Sequence, residues 1–464
     1  MRLKHSLNRL DDLIPGKMLF ILFWILILLS YVCLNIGFKP ELRDNAWSHY
    51  WAYDFFKNGI VEDRFIGNGL ANLSLTGVTP AFFYGSIMNL IGWQLPRALL
   101  ISTFLIIAAL GLWYRILKDK NWSFKSIALF ITIGLLLDAY FEPSHTTKTD
   151  AFTFFMLSIS FFSFTKKRYL LAGFLALVCV ESHPIGITVF FYMLGHFLGN
   201  REKILAESKI KPFVYFGIGL IIGLCYYFLL HYKALFQSTY SLDYTLNNNK
   251  EMFYFFSYIL KYFFPGGLNK HIPEFLILFA GLGLGIICKY YKKDSSLYWI
   301  LGLVFFSSLI NPRPVHTYVI MAFPALLMVL VDTATRLRFQ KLVLLYFFLL
   351  LLPQFAYLGI KSRSWPNHRQ YVQNIQSQLP NDTSLPLLGS SNEWFASLGS
   401  FDYHHFTWLD FSPSSKPDKF YFILEDDGRK SGLPDRWESQ YSFSLINEFE
   451  NYGEEFDIFL AEKR

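Results

Sequence analysis

Residues 95–117 read LPRALLISTFLIIAALGLWYRIL, and Lys118 and Lys120 follow at once. The stretch holds no acidic residue, and its basic ones, Arg97 and Arg115, lie toward its ends. A helix rises about 1.5 Å per residue, so this one spans a hydrocarbon core about 30 Å thick. Pro96 sits where a helix tolerates it, in the first turn. A long apolar run that closes on a basic turn is the unit from which the rest of the chain is read.

The unit recurs on both sides. Apolar runs occupy 18–36, 95–117, 124–141, 151–165, 169–182, 184–199, 212–231, 273–291, 297–311, 317–334 and 341–360. These eleven runs predict an all-α polytopic membrane domain of about 11 transmembrane helices. Residues 80–93 are apolar but short and predict a re-entrant or interfacial segment. Composition agrees: 53% of the 464 residues are hydrophobic and 17% charged, against about 25% charged in soluble domains.

The net charge of +7 is an average of two opposed regions. Residues 361–464 carry 10 Lys/Arg and 16 Asp/Glu, and residues 1–360 carry 32 and 19. We therefore divide the chain into a membrane domain, 1–360, and a soluble C-terminal domain, 361–464. Phe420-Tyr-Phe-Ile-Leu424 and Phe456-Asp-Ile-Phe-Leu460 alternate between turn signals and predict a small α/β fold there. Cys33, Cys179, Cys225 and Cys288 all lie in apolar runs, without a CxxC pair. That argues against disulfides and thiolate zinc.

Placing the N-terminus in the cytoplasm puts 21 of the basic residues of 1–360 into six short segments on that side. The bias holds at every turn. An odd number of spans then carries the acidic C-terminal domain to the outer face of the plasma (inner) membrane. The first apolar run is too long for a cleavable signal and no small-residue cleavage site follows it. The positive charge sets orientation and implies no nucleic-acid partner.

Ionisable groups gather at the outer ends of the runs, where polar residues are costly and mark function. Glu41-Leu-Arg-Asp-Asn-Ala-Trp-Ser-His-Tyr50 contains Asp44 and leads into an aromatic segment of helical spacing that stops at Asn58-Gly59. It fits an amphipathic helix on the membrane surface; the bland alternative for Asp44 is a solvated loop carboxylate. Glu142-Pro-Ser-His-Thr-Thr-Lys-Thr-Asp150 gathers Glu142, His145, Lys148 and Asp150, with helix capping by Thr149 or Asp150 as the alternative. Glu181-Ser-His-Pro184 places Glu181 and His183 in one tight turn, where they alternatively satisfy each other. Asn311-Pro-Arg-Pro-Val-His-Thr-Tyr318 offers Arg313 and His316, suited to a phosphate or, with Tyr318, to interfacial anchoring. Four such segments on one face favour a shared polar site, in which carboxylates act as base and cations stabilise a leaving phosphate.

The order of these motifs resembles the GT-C superfamily of membrane glycosyltransferases. The nearest branch includes protein O-mannosyltransferases, aminoarabinose transferases and related bacterial enzymes. Arg43-Asp44-Asn45-Ala46 resembles the family's acidic motif, with Asn45 where a Glu is usual. Thr79-Pro80-Ala81-Phe82-Phe83-Tyr84 and Leu95-Pro96-Arg97 are similar to its Pro-rich approach to span two, with Arg and Pro in changed order. Thr149-Asp150-Ala151-Phe152, Ser182-His183-Pro184-Ile185-Gly186, and His316-Thr-Tyr318 with Phe323-Pro324-Ala325 follow in the family's order. The match covers most of residues 1–335.

The resemblance implies a GT-C-like fold and transfer of a hexosyl or pentosyl group from a polyprenyl-phosphate donor, with inversion. The acceptor is a hydroxyl on a glycan, lipid or protein of the cell envelope. It implies Asp44 as general base or acceptor-orienting group and Asp150 as a second site carboxylate. Lys148, His183, Arg313, His316 and Tyr318 fall to the lipid phosphate, with Glu142, His145 and Glu181 as further candidates. No cofactor is required. Some members use a divalent metal and others do not; Asp44, Asp150 and Glu181 supply suitable oxygens, and the residues leave both open. A surface-polysaccharide polymerase or ligase is the alternative among enzymes. A lipid-linked sugar transporter or flippase is the alternative outside them, and it predicts charges at mid-membrane, where these runs are clean.

Overall fold

The computed structural model describes residue 6 and residues 11–36, 47–59, 77–136, 149–207, 210–237, 272–310, 320–361, 367–390, 393–406, 408–411, 416–425, 428–429, 432–433 and 435–464. Among these, eleven apolar helices coincide with the eleven predicted runs. They are α1 (Gly16–Ile36), α4 (Leu95–Asp119), α5 (Phe124–Leu136), α6 (Asp150–Thr165), α7 (Tyr169–Ser182), α8 (Thr188–Glu207), α9 (Lys211–Gln237), α10 (Ile272–Ile287), α11 (Ser295–Ile310), α12 (Phe323–Leu337) and α13 (Gln340–Lys361). Two helices, Leu95–Asp119 and Lys211–His231, are long and apolar enough by themselves to cross a membrane. The other nine are not shown as crossings by that measure.

Some boundaries differ from the expectation. The run from 184 opens as a 3-10 turn, Pro184–Ile187, before α8, because Pro184 cannot continue α7. The run from 273 stops at Ile287, and Lys289 turns the chain with a left-handed φ of 58°. Two further helices do not follow the run pattern. Helix α2 (Trp47–Asn58) is the predicted aromatic helix, and Gly59 ends it with φ +69°. Helix α3 (Val78–Ile91) covers most of the short apolar stretch 80–93.

The basic turns meet at one end of the bundle. Lys166 pairs with Asp119 at 2.8 Å, and Lys120 donates to Ser296 at 2.9 Å. Ser126 meets Thr335 at 2.9 Å, and the Lys341 N–H donates to Asp11 at 2.6 Å. The other end lies about 37 Å away, the length of α4 at 1.5 Å per residue. Helices α7 and α9 lie side by side, starting near the basic end. A Cβ on Gly173 would meet the Phe216 carbonyl at 2.4 Å, and one on Gly219 the Leu170 carbonyl at 2.1 Å. Small residues permit that approach, as is usual between membrane helices, and it brings the far ends of α7 and α9 together.

The C-terminal part is a five-stranded mixed sheet of order β2-β1-β3-β5-β4. Its strands are β1 (Leu387–Gly389), β2 (Tyr403–His405), β3 (Lys419–Leu424), β4 (Tyr441–Asn451) and β5 (Glu454–Lys463). The two alternating segments became β3 and β5, paired antiparallel from Lys419↔Glu462 to Leu424↔Asp457. Tyr452 and Gly453, both with positive φ, close the β4–β5 hairpin by the two-residue turn that matches strand twist. Alternation divides β3 between two cores. Phe420, Phe422 and Leu424 pack with Trp408 and Trp437. Tyr421 and Ile423 pack on the face shared with Tyr371 and Ile375 of α14 (His368–Gln378), Trp394, and Tyr50 and Leu95 of the helical part.

Candidate functional site

The end of the bundle away from the basic turns collects the polar groups. Glu181, the penultimate residue of α7, is closed to solvent. Its Oε1 accepts the Val78 N–H at 2.8 Å, and its Oε2 accepts the Thr79 N–H at 3.2 Å. Its main-chain carbonyl accepts the Gly77 N–H at 2.7 Å. One residue therefore anchors the first turn of α3, whose free N–H groups and positive dipole end suit a carboxyl. His231 of α9 completes the set, with Nε2 3.1 Å from Glu181 Oε1 and its ring 4.6 Å from that of Tyr227. Thr79 Oγ1 and the Tyr226 hydroxyl lie 2.9 Å apart beside it.

Asp150 opens α6 as a buried residue. A Cβ on Gly77 would lie 3.9 Å from the Thr149 methyl and 4.0 Å from the Ser182 carbonyl. The starts of α3 and α6 and the end of α7 are thus neighbours. The Asp150 carboxyl is an electrostatic neighbour of the Tyr84 hydroxyl on α3, which hydrogen-bonds Ser102 at 2.7 Å. Thr149 makes no side-chain cap, so capping by that residue is not what the segment does. His183 does not pair with Glu181: its Nδ1 accepts the Ile185 N–H at 3.2 Å and shapes the turn into α8.

Above this floor lies α2, which joins it to the sheet. Phe55 meets Phe82 of α3 at 4.5 Å between ring centroids. On the other side Tyr50 and Tyr53 contact Trp394 at 5.9 and 5.8 Å. His49 is fully buried between Tyr84, at 5.4 Å, and Phe395, at 6.5 Å, and neither ring nitrogen has a hydrogen-bond partner. Burial pulls its pKa down to about 4.

Of the residues expected in the site, the structure brings together Asp150, Glu181 and His183. Asp44, Glu142, His145, Lys148, Arg313, His316 and Tyr318 lie outside the described residues. The reading missed His231, whose signal was one imidazole at the outer end of a long apolar run beside Tyr226 and Tyr227. It also missed the contact of the sheet with α2. No three metal-ligating side chains converge among the described residues. Both Glu181 oxygens accept hydrogen bonds from the first turn of α3, and Oε1 also meets His231.

No family model matches the chain. Two solved structures share its fold: ArnT from Cupriavidus metallidurans in the apo state, TM-score 0.59, and the same protein bound to undecaprenyl phosphate, TM-score 0.61. Each is 12% identical, with 94% of this chain and 97% of that chain covered. The chain therefore has the ArnT fold, which agrees with the GT-C-like fold that the resemblance implies. A Sec-independent protein translocase protein TatC from Akkermansia muciniphila is 26% identical over 149 residues, 30% of this chain. The chain spans only 42% of that relative's length.

Proposed function

We propose that the protein is a membrane glycosyltransferase that moves a sugar from a polyprenyl-phosphate donor to an acceptor hydroxyl. The observation that carries this reading is the buried polar floor of Asp150, Glu181 and His231 under α2 and the docked sheet, within a fold shared with a protein that binds undecaprenyl phosphate. In this reading the domain boundary lies near residue 360. The basic end faces the cytoplasm, as the positive-inside bias requires, and the site and sheet face outward.

Asp44 lies three residues before Trp47, the first residue of α2. Lys148 lies two residues before Asp150, and Tyr318 two before Ile320. Adjacency in the sequence to α2 and α6 supports one site made from Asp44, Asp150 and Lys148.

In the reaction the acceptor oxygen attacks the anomeric carbon and its proton passes to Asp44. The bond from that carbon to the phosphate oxygen breaks on the opposite face, so configuration inverts. The electron pair leaves with the lipid phosphate, which Lys148, His183, Arg313 and His316 stabilise, with Tyr318 beside them. Asp150 orients the substrates, and Glu181 holds α3 in place. Glu142 and His145 border the same segment. Purified protein in micelles of a polyprenyl-phosphate sugar tests this. Asp44→Ala is expected to lower turnover about 10²–10⁴-fold, the usual contribution of a general base. Full turnover in Asp44→Ala removes that residue from the chemistry.

A further inference from the structure

The basic end of the bundle contains a cavity of about 600 Å³ between α8 and α11. Small-molecule sites commonly measure about 300–1,000 Å³, so it exceeds the needs of a bare ion. Helix α8 loses helical geometry at Asn200, with φ −126° and ψ 15°. The break comes where α8 presses on the start of α11: a Cβ on Gly199 would lie 2.3 Å from the Ser296 Cα. Past the break, Arg201 and Lys203 line the cavity, and Lys293 faces it from the turn before α11.

The charges there are not balanced. Lys120 donates to Ser296 Oγ at 2.9 Å, and that hydroxyl donates to Asp294 at 2.7 Å, so the Asp294 charge is linked through Ser296 to Lys120. Of the remaining lining groups, Glu202 is the one acid against three cations. Among the described residues, Arg201, Lys203 and Lys293 form no ion pair with a carboxylate. The cavity floor is the first turn of α11, at Ser295 and Ser296, whose amides and dipole favour an anion. Trp299, half exposed, stands at the rim, a residue type that settles at membrane interfaces.

We propose that this cavity binds a phosphate-bearing ligand through Arg201, Lys203 and Lys293, at the opposite end of the protein from the sugar-transfer site. It does not rest on the sugar-transfer reading. The phosphate is carried either by a lipid headgroup, for which the spare volume and Trp299 provide, or by free phosphate.

Titration of the detergent-purified full chain with dihexanoyl phosphatidylglycerol, dihexanoyl phosphatidylcholine and inorganic phosphate tests it. Arg201→Gln with Lys293→Gln is expected to weaken anion binding at least tenfold, and Lys203→Gln alone about threefold. All three side chains are exposed, and melting curves without ligand check that the variants fold. Phosphatidylglycerol at least tenfold tighter than phosphate identifies the headgroup as the source; equal affinity identifies free phosphate. Binding that ignores both variants, or phosphatidylcholine as tight as phosphatidylglycerol with no response to phosphate, overturns the proposal. If the double variant fails to fold, an unchanged affinity in Lys203→Gln overturns it.

Discussion

The Glu181 carboxyl and the His231 imidazole meet at 3.1 Å, both closed to solvent and fifty residues apart in the chain. They tie α7 to α9 and, through the Val78 and Thr79 amides, both to α3. Loss of the Glu181 carboxyl leaves the Val78 and Thr79 amides without that acceptor. A buried donor left unsatisfied costs about 1–3 kcal/mol. Glu181→Ala is therefore expected to lower the melting temperature sharply in detergent. Glu181→Gln keeps an acceptor for the amides and should lose less. Equal melting of Glu181→Ala and wild type would remove Glu181 from this anchoring role.

Trp394 is one contact by which the C-terminal domain holds α2, beside the Phe395–His49 contact. It meets Tyr50 and Tyr53 and is almost fully buried. Truncating a buried Trp costs about 3–5 kcal/mol. Trp394→Ala should increase hydrogen exchange in α2 and α14 while that in α4 and α12 stays slow. Exchange rising evenly over the whole chain would show instead that sheet and bundle unfold as one unit.

How much of this was legible in the residues differs by element. Periodicity and basic turns located the eleven apolar helices, because a long apolar run has few other uses. Gly59 ended α2 as expected, since the chain needs a positive φ there. What stayed hidden depends on distant pairing. Nothing local to Glu181-Ser-His-Pro184 says that the carboxyl turns to α3 and α9 while His183 turns back to its own Ile185 amide. The same holds for Trp394, whose partners lie more than 340 residues earlier in the chain.

Two imidazoles at the sheet–bundle contact make it sensitive to pH. Burial pulls both His49 and His368 down to about 4, and both rings face Phe395. Released from the contact, they take up protons near the ordinary value of about 6.5. The open state then binds more protons below that value, so docking weakens as pH falls. The loss begins near pH 6.5 and is complete below about 4. His49→Phe removes two unpartnered nitrogens and one proton site. It should flatten the acid limb of a melting-temperature profile, and an unchanged limb would assign the effect to other groups.

Glu393 titrates in the opposite sense. It is closed to solvent, accepts from the Ser390 N–H at 2.8 Å and the Ser390 hydroxyl at 2.5 Å, and faces Glu425. Burial first, and then the Glu425 charge, push its carboxyl well above the usual range. The folded domain therefore holds a proton that the unfolded chain releases near the ordinary value of about 4.3. Stability falls as pH rises from there toward the folded value. A glutamine keeps the acceptor for Ser390, offers Glu425 an N–H, and has nothing to release. Glu393→Gln is thus expected to raise the melting temperature of the sheet at pH 8 by several degrees, since 1 kcal/mol moves a domain of this size by about 4–8 °C. The gain should vanish near pH 4, where glutamate and glutamine carry the same charge. A variant that melts lower than wild type at both pH values would mean that the Glu393 proton is not what limits the fold.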